Sequence, residues 1–350
     1  MSSSSSSQVW LVIDSQTFGG IETHVLELAK GLKQFEIEVK VWLLRHYSHP
    51  AQLAQQLKQA NIAVGYLDKA GDNYFLSLLN KVKHHRPVAL HAHGYKASVT
   101  CKVIRLLTGI NQVSTYHAGE TPKGKVWLYD AIDRYSGFVS SHSIVVSDAI
   151  AAKLPYSSVY FNNFVDSNIL QPSSGEQIAF VGRLSEEKAP DRFVELARLN
   201  KSLSFDVYGS GAMEARLKST APDNVVFHGH QTDMAQVWDN IGLLIICSRY
   251  EGLPMAALEA MARGIPVLAL NVGNLSKLIQ HQSNGYLVDS MAQLNQSLSE
   301  FINLDNNARK ILKSNAITTI EQHFSPSAVI PQLLAIYSPN QFQTDCQIEK

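Results

Sequence analysis

The chain has 350 residues, a formal net charge of zero, and 45% apolar against 17% charged residues. This length exceeds one ordinary core and predicts two domains, and the composition excludes a disordered chain. The neutral balance excludes a whole-molecule field for nucleic acid, and the strand-sized apolar runs exclude an integral membrane span.

Short β-rich runs alternate with helical patterns, which is typical of parallel sheets built from βαβ units. The predicted strands of the first half are Val9–Asp14, Glu38–Leu44, Ala63–Leu67, Val88–His93, Gln112–Tyr116, Ser143–Val146 and Val159–Phe161, with helices such as Ile21–Lys33 and Pro50–Ala60 between them. After a polar segment, Ser167–Gly175, that we interpret as a linker, strands are predicted at Ile178–Val181, Ser204–Tyr208, Val225–His228, Leu243–Cys247, Val267–Leu270 and Gly285–Val288. Ligands of such sheets bind beyond the carboxyl ends of the strands, so residues that follow strands are the candidates.

The segment SRYEGLPMAALEAMARGIPVLA, Ser248–Ala269, is the most informative of these. Pro254 and Gly264 predict a helix at Leu253–Arg263. No residue between Glu251 and Met255 can cap it, so its first amides are available to an anion or to sugar hydroxyls. Carboxylates accept paired hydrogen bonds from vicinal diols. The binding candidates are Glu251, Gly252, Leu253, Met255, Ala256 and Glu259; the alternative is an ordinary amphipathic helix with surface glutamates.

A second segment, FVGRLSEEKAP, spans Phe180–Pro190 and turns at Gly182 after a predicted strand. It delivers Arg183 and Lys188. A guanidinium fork and an ammonium together suit a leaving diphosphate, on which negative charge builds up. The alternative is a pair of solvated charges.

These segments resemble the Glu-x7-Glu and Gly-Arg-Leu…Lys motifs of the retaining glycosyltransferase family 4, and the resemblance covers nearly the whole chain. FGGIETH resembles the family's Gly-Gly-x-Glu loop, in which Gly19 and Gly20 let the backbone approach the donor diphosphate. VYGSGA, with Gly209, is similar to the glycine turn beside the nucleotide, and VVFHGH, with His230, to the loop that lines the base.

The chain also departs from the family pattern. Ala212 replaces a proline, and Asn162 and Phe164 replace a proline and a glycine at the domain junction. In VGNLSKLI, Asn274 and Lys277 replace a glycine and a glutamate, and only Gly273 is retained. We expect Lys277 to be exposed on its helix, as most lysines are; the alternative is a positive charge near the diphosphate.

His117, in STYHAGE, matches the histidine that family members place beside the reacting sugar; the alternative is a solvated loop histidine. His91 and His93 alternate on one strand and point to the same side. No third ligand follows with recognisable spacing, HExxH is absent, and the three cysteines lack paired spacing. We expect no metal and no cofactor.

The resemblance implies a GT-B fold of two Rossmann-like domains that face each other across a cleft. We assign residues 1–7 to a serine leader, 8–168 to an acceptor domain, 169–325 to a donor domain, and 326–350 to a helix that crosses back and a tail. His117, Arg183, Lys188 and Glu251 would be catalytic, with Glu259 on the ribose.

The implied function is retaining, metal-independent sugar transfer, with a UDP-sugar as donor, in bacterial polysaccharide or glycolipid synthesis. The alternatives are a sugar-nucleotide epimerase of the same fold and a non-catalytic two-lobed sugar-binding protein. The expected partners are the donor and a sugar, glycan or lipid-linked acceptor, without nucleic acid. We expect a cytoplasmic protein, and the basic stretch Lys81–Arg86 could contact anionic headgroups at the inner membrane.

Overall fold

The computed structural model describes residues 8–16, 18–47, 51–68, 71, 73–117, 125–167 and 170–338. The chain divides into a first unit of residues 1–164 and 326–350 and a second unit of residues 165–325. The division lies between Phe164 and Val165, where the sequence placed it after residue 168. The serine leader, residues 1–7, and the tail, residues 339–350, lie outside the described residues.

The described part of the first unit contains a sheet of seven parallel strands in the order β3-β2-β1-β4-β5-β6-β7. The strands are β1 Val9–Ile13, β2 Val39–Leu43, β3 Ala63–Tyr66, β4 Ala89–His93, β5 Gln112–Tyr116, β6 His142–Val145 and β7 Val159–Tyr160. The helices are α1 Gly20–Gln34, α2 Gln52–Gln59, α3 Tyr74–His85, α4 Tyr95–Thr108, α5 Lys125–Tyr135, α6 Asp148–Ala151 and, after the second unit, α14 Pro326–Tyr337.

Apolar side chains of the central strands face both sides of this sheet. Every residue of β1 is buried, as expected where helices cover both faces of a parallel sheet. One face packs on α1, α2 and α14, and the other packs on α3 and α4, where Trp10 meets Trp42 edge to face. The sheet is therefore the middle layer of a three-layer unit.

Helix α14 is built into the first unit by apolar and polar contacts. A Cβ on Gly31 of α1 would lie 3.0 Å from side-chain atoms of Ile330 and Phe164, so the glycine allows α14 to pack closely. At the other end of the helix, the hydroxyl of Tyr337 lies 2.6 Å from Nδ1 of His91. The last described helix thus reaches the middle of β4.

The described part of the second unit contains six parallel strands in the order β10-β9-β8-β11-β12-β13. The strands are β8 Gln177–Val181, β9 Phe205–Tyr208, β10 Val225–Gly229, β11 Ile241–Ile246, β12 Val267–Leu270 and β13 Tyr286–Val288. The helices are α7 Pro190–Leu199, α8 Glu214–Thr220, α9 Met234–Asn240, α10 Met255–Ala262, α11 Leu275–Leu278, α12 Met291–Ile302 and α13 Asn306–His323.

The predicted α/β class and the two parallel sheets are confirmed. Strands β5 and β12 have their predicted bounds, whereas β11 begins at Ile241. The predicted helix at Leu253–Arg263 begins later, at Met255, because Pro254 is in an extended conformation and is the N-cap. No helix in the described ranges is long and apolar enough to cross a bilayer.

The polar segment predicted to be a linker is packed in its second half. The Ser173 hydroxyl is buried and donates to the carbonyl of Ile241 at 2.7 Å. Gly175 lies so close to Asn240 that a Cβ would overlap that backbone. Residues 168 and 169 lie outside the described residues. The remainder of the segment is an ordered connection that leads into β8.

Candidate active site

Three strand ends of the second unit are held together by backbone contacts, one of which only glycine allows. The amide of Gly182, after β8, donates to the carbonyl of Tyr208 at 3.0 Å. Gly209, after β9, has φ +136 and packs so closely on Gly182 that a Cβ would overlap its carbonyl oxygen. Its amide donates to the carbonyl of Gly229 at 2.8 Å. The close contact of Gly209 with Gly182 fixes the start of the loop that carries Arg183 and Lys188.

Lys188 and Glu251 form an ion pair between the loops that follow β8 and β11. Nζ of Lys188 lies 2.8 Å and 2.7 Å from the two carboxylate oxygens of Glu251, and the Ser248 hydroxyl donates to Oε1 at 2.7 Å. The Glu251 side chain is 5% exposed and that of Lys188 is 28% exposed. Two residues predicted from separate motifs are thus direct partners.

Arg249 joins the same two loops a second time. Its guanidinium holds both carboxylate oxygens of Asp191, at 3.0 Å and 2.6 Å, and its amide donates to the carbonyl of Glu187 at 2.8 Å. The Arg249 hydrogen bond lowers the pKa of Asp191. The sequence analysis missed Arg249, although it lies inside the motif segment, because its partner is 58 residues away.

Arg183 points to solvent. Its side chain is 66% exposed and bonds Glu187, four residues later in the same loop. The arginine is therefore open to a ligand from solvent, whereas Lys188 is already held against Glu251. The structure puts both basic residues on one loop and only Lys188 against Glu251.

The start of α10 lies directly beyond Glu251. No side chain caps the helix, in agreement with the sequence analysis, so its first amides lack capping partners of that kind. Leu253 and Met255 are buried in the core, while Gly252 and Ala256 are half-buried. Leu253 and Met255 can therefore meet a ligand only through their backbone.

Glu259 lies about one turn along α10 and contacts a buried aromatic residue. Its Oε2 accepts a hydrogen bond from Nε1 of Trp238 at 2.9 Å, and Trp238 is 1% exposed. A carboxylate has about four acceptor sites, so this bond fixes the carboxylate and leaves acceptor capacity for further donors. Trp238 was not among the predicted site residues, because no motif marks it.

Aromatic residues line the ends of β9 and β10. Tyr208 stacks on His228 with ring centroids 4.3 Å apart, and Nε2 of His228 lies 2.7 Å from Oδ1 of Asp206. The predicted base-lining residue, His230, is exposed two residues beyond. The stacked pair was missed, since it depends on the register of neighbouring strands.

Asn274 and Lys277, which replace a glycine and a glutamate of the family pattern, follow a tight turn at Gly273. Gly273 has φ +60, and a Cβ there would overlap the carbonyl oxygens of Glu251 and Gly252. The Asn274 amide donates to the carbonyl of Gly252 at 2.8 Å. Asn274 is buried, and Lys277 is exposed on α11, as expected.

In the first unit, the predicted glycine loop forms the start of α1. The Gly19 amide donates to Oε2 of Glu22 at 3.0 Å, as in a capping box. Burial raises the pKa of Glu22. A Cβ on Gly20 would meet no atom within 4 Å among the described residues, so the local fold does not require a glycine there.

His117 follows β5 and belongs to a group of histidines. Nε2 of His117 lies 3.1 Å from Nδ1 of His93, and the His117 ring lies 4.7 Å from that of His24, centroid to centroid. His24 is one turn along α1 from Gly20, so the glycine loop and His117 are neighbours. Burial lowers the pKa of His117 well below its usual value.

Two family descriptions match consecutive parts of the chain. Residues 18–155 match Glycosyltransferase Family 4, and residues 164–319 match Glycosyl transferases group 1. An uncharacterized glycosyltransferase of Haemophilus influenzae is 29% identical over 138 residues, 37% of this chain and 39% of that protein. The poly(ribitol-phosphate) alpha-N-acetylglucosaminyltransferase of Staphylococcus aureus is 24% identical over 173 residues, 46% of this chain and 35% of that protein. These matches thus span well under half of either relative.

A solved structure extends the similarity to the whole fold. HepE from Anabaena, crystallised in complex with UDP-glucose, superimposes with a TM-score of 0.80 and 18% identity, covering 95% of this chain and 99% of that one. At this identity the likeness shows the fold alone. The two family matches, taken with this shared fold, show that the chain belongs to the GT-B glycosyltransferases of family 4.

Proposed function

We propose that the chain transfers a sugar from a UDP-sugar to an acceptor hydroxyl, with retention of configuration and without a metal ion. The observation that carries the proposal is the Lys188–Glu251 pair beside the uncapped start of α10. A cation and a carboxylate at one point suit a donor whose phosphates need positive charge and whose sugar offers hydroxyls.

Lys188 and Glu251 each keep a hydrogen-bonding position for a ligand. An ammonium has three donors, and Lys188 directs two of them at Glu251. The remaining donor, together with the exposed Arg183, would stabilise the charge on the departing diphosphate. Glu251 and the first amides of α10 would orient the sugar, and Glu259 would bind the ribose. The ion pair thus arranges both groups before the donor binds.

Metal independence follows from the same residues. The sequence has no Asp-x-Asp pair to hold a divalent cation on the phosphates, and Arg183 and Lys188 supply the positive charge in its place. We expect turnover to survive treatment with EDTA. Turnover that EDTA abolishes and manganese restores would contradict this part of the proposal.

The direct test is release of nucleoside diphosphate from a panel of nucleotide sugars with saccharide and lipid-linked acceptors. We expect UDP release, a product with the anomeric configuration of the donor by NMR, and loss of both in Lys188→Met. Conversion of the sugar nucleotide without transfer would instead identify an epimerase. Binding of sugars without release of nucleoside diphosphate would identify a sugar-binding protein.

The acceptor class is proposed by similarity and by one surface. The Staphylococcus relative is named for a poly(ribitol-phosphate) acceptor, and we propose a polysaccharide or glycolipid acceptor at the cytoplasmic face of a membrane.

Helices α4 and α5 form the surface that supports this proposal. They run side by side, since Tyr95 stacks on Tyr129 and Lys102 bonds Asp133. The large apolar side chains that they and the following turn expose are Val103, Leu106, Leu107, Trp127, Leu128, Tyr129, Ile132, Tyr135 and Phe138.

This apolar surface adjoins basic residues. Helix α3, which packs on α4, ends in the predicted basic stretch, where Lys83 and Arg86 are exposed. An apolar patch next to basic residues suits an anionic lipid surface, to which each basic residue contributes about 1 kcal/mol. Lys83→Ala/Arg86→Ala should therefore weaken binding to phosphatidylglycerol vesicles by about thirtyfold. Equal sedimentation with phosphatidylcholine vesicles would contradict the electrostatic part.

A further inference from the structure

Three histidines of the first unit converge although they come from three separate elements. His24 lies on α1, His93 ends β4 and His117 follows β5. One ring nitrogen of each lies within 4.8 Å of the other two. The centroids of His24 and His93 are 5.4 Å apart, as are those of His93 and His117. Adjacent strands β4 and β5 bring two of the rings together, and α1 adds the third.

The ring nitrogens of His93 and of the neighbouring His91 have different surroundings. Nδ1 of His93 faces His117, and its buried Nε2 has no partner among the described residues. The neighbouring His91 is different, because its two nitrogens lie 2.6 Å from the hydroxyls of Tyr337 and Thr115. Both nitrogens of His91 are thus taken up by hydroxyls, whereas Nδ1 of His93 faces only the ring of His117 among the described residues.

We propose that His24, His93 and His117 bind one divalent transition-metal ion of the Zn²⁺ type. Two nitrogens at about 2.0–2.1 Å from one tetrahedral Zn²⁺ are about 3.3–3.4 Å apart, close to the 3.1 Å between His93 and His117. Three histidine ligands leave the fourth position to water, as in open zinc sites. His117 is half-buried with respect to the described residues.

The surroundings provide the orientation that metal-binding histidines need. His24 has a hydrogen-bond contact with Asn163, which is buried at the end of the first unit. The His91 ring, fixed by its two hydroxyl contacts, lies 4.3 Å from that of His93. These contacts restrict how the His24 and His93 rings can turn.

Metal binding would inhibit the enzyme, a consequence that rests on the proposed role of His117 beside the reacting sugar. An ion coordinated by His117 occupies the lone pair of the imidazole and holds the ring in the histidine cluster. The site would then be an inhibitory one, separate from the diphosphate chemistry of Arg183 and Lys188. Sequence spacing gave no sign of it, because the ligands are 69 and 24 residues apart, from 24 to 93 and from 93 to 117.

The experiment uses the full chain without an affinity tag, treated with EDTA and dialysed. Titration with Zn²⁺ in a calorimeter should give one ion per chain, and Co²⁺ should give the visible absorption of a four-coordinate ion. His24→Gln and His93→Gln should each weaken Zn²⁺ binding at least a hundredfold. His84→Gln/His85→Gln, which alters an exposed neighbouring pair, is the matched control and should bind as the parent does.

The outcomes separate this inference from the proposed function. Thermal unfolding of each metal-free variant checks that it folds, and Zn²⁺ should raise the melting temperature of the parent and the control only. Equal Zn²⁺ affinity in parent and His93→Gln, or no binding to a folded parent, overturns the site. Zn²⁺ bound at the site with unchanged turnover overturns the inhibition, and absence of any transferase activity leaves the binding result standing.

Discussion

Replacement of Lys188 by methionine tests the central pair, because the stem length is kept and only the charge is lost. The variant loses the contacts of 2.8 Å and 2.7 Å to Glu251, which keeps the hydroxyl of Ser248. Breaking a fully buried pair costs about 3–5 kcal/mol, and exposed pairs contribute about 0–1 kcal/mol. With Glu251 5% and Lys188 28% exposed, we expect a loss of about 2 kcal/mol.

Scanning calorimetry of the full chain measures this loss. For a unit of this size, about 2 kcal/mol lowers the melting temperature by about 4–8 °C. Lys188→Met/Glu251→Gln should recover much of it, with a coupling energy of about 1–2 kcal/mol, since no unpaired carboxylate remains. The control is Lys218→Met, which breaks the pair with Glu214 at a lysine that is 49% exposed; its unfolding should hardly change.

Kinetics separate a structural lysine from a catalytic one. If Lys188 also stabilises the departing diphosphate, Lys188→Met should lower turnover at saturating donor by about 100- to 1,000-fold, and donor affinity should fall less, since the amides of α10 remain. Lys188→Arg, which keeps the charge, should retain part of the turnover. A folded Lys188→Met enzyme with near-native turnover refutes the catalytic role, and additive stabilities in the cycle refute the coupling.

Further outcomes follow from other contacts. Lys102→Met should destabilise the first unit by about 3–5 kcal/mol, because Asp133 is left buried without its cation, and calorimetry should show that Asp133→Asn relieves most of this. Gly20→Ala should leave melting unchanged, since its Cβ would meet no atom of the described residues within 4 Å, yet should raise the KM for the donor if a phosphate approaches there. Gly273→Ala should cost at least about 1 kcal/mol, through its positive φ and the overlap with two carbonyls, and should lower turnover by displacing Glu251; native melting would contradict it.

The fold was predictable because each strand carries its own signal. Continuous apolar runs such as Val267–Leu270 are buried on both faces, so their bounds follow from composition. The helix of the main motif was predictable for a similar reason, with Pro254 at its start and Gly264, φ +68, just after its end. The bounds of an element can be predicted wherever the residues that determine them are close in sequence.

The pairings inside the site were not predictable, because they depend on strand order. Lys188 meets Glu251 across 63 residues because β8 and β11 are neighbours in the sheet, although β9 and β10 separate them in the chain. The histidine cluster depends in the same way on the adjacency of β4 and β5. A motif identifies the residue types of a site, whereas the order of the strands in the sheet decides which of these residues contact each other.

The two loops of the donor unit are fixed by contacts of two physical kinds. At their bases, Gly209 packs on Gly182 and Gly273 packs beneath Glu251. These are steric contacts that neither salt nor pH alters. Further out, Lys188 and Arg249 join the loops through charges, which salt and acid weaken. Because the bases hold without the charges, removing one charge should change the chemistry of the site more than its position. Charge-removal variants of this unit therefore need both unfolding and kinetic measurements, whereas substitutions of its packed glycines act on the site through its position.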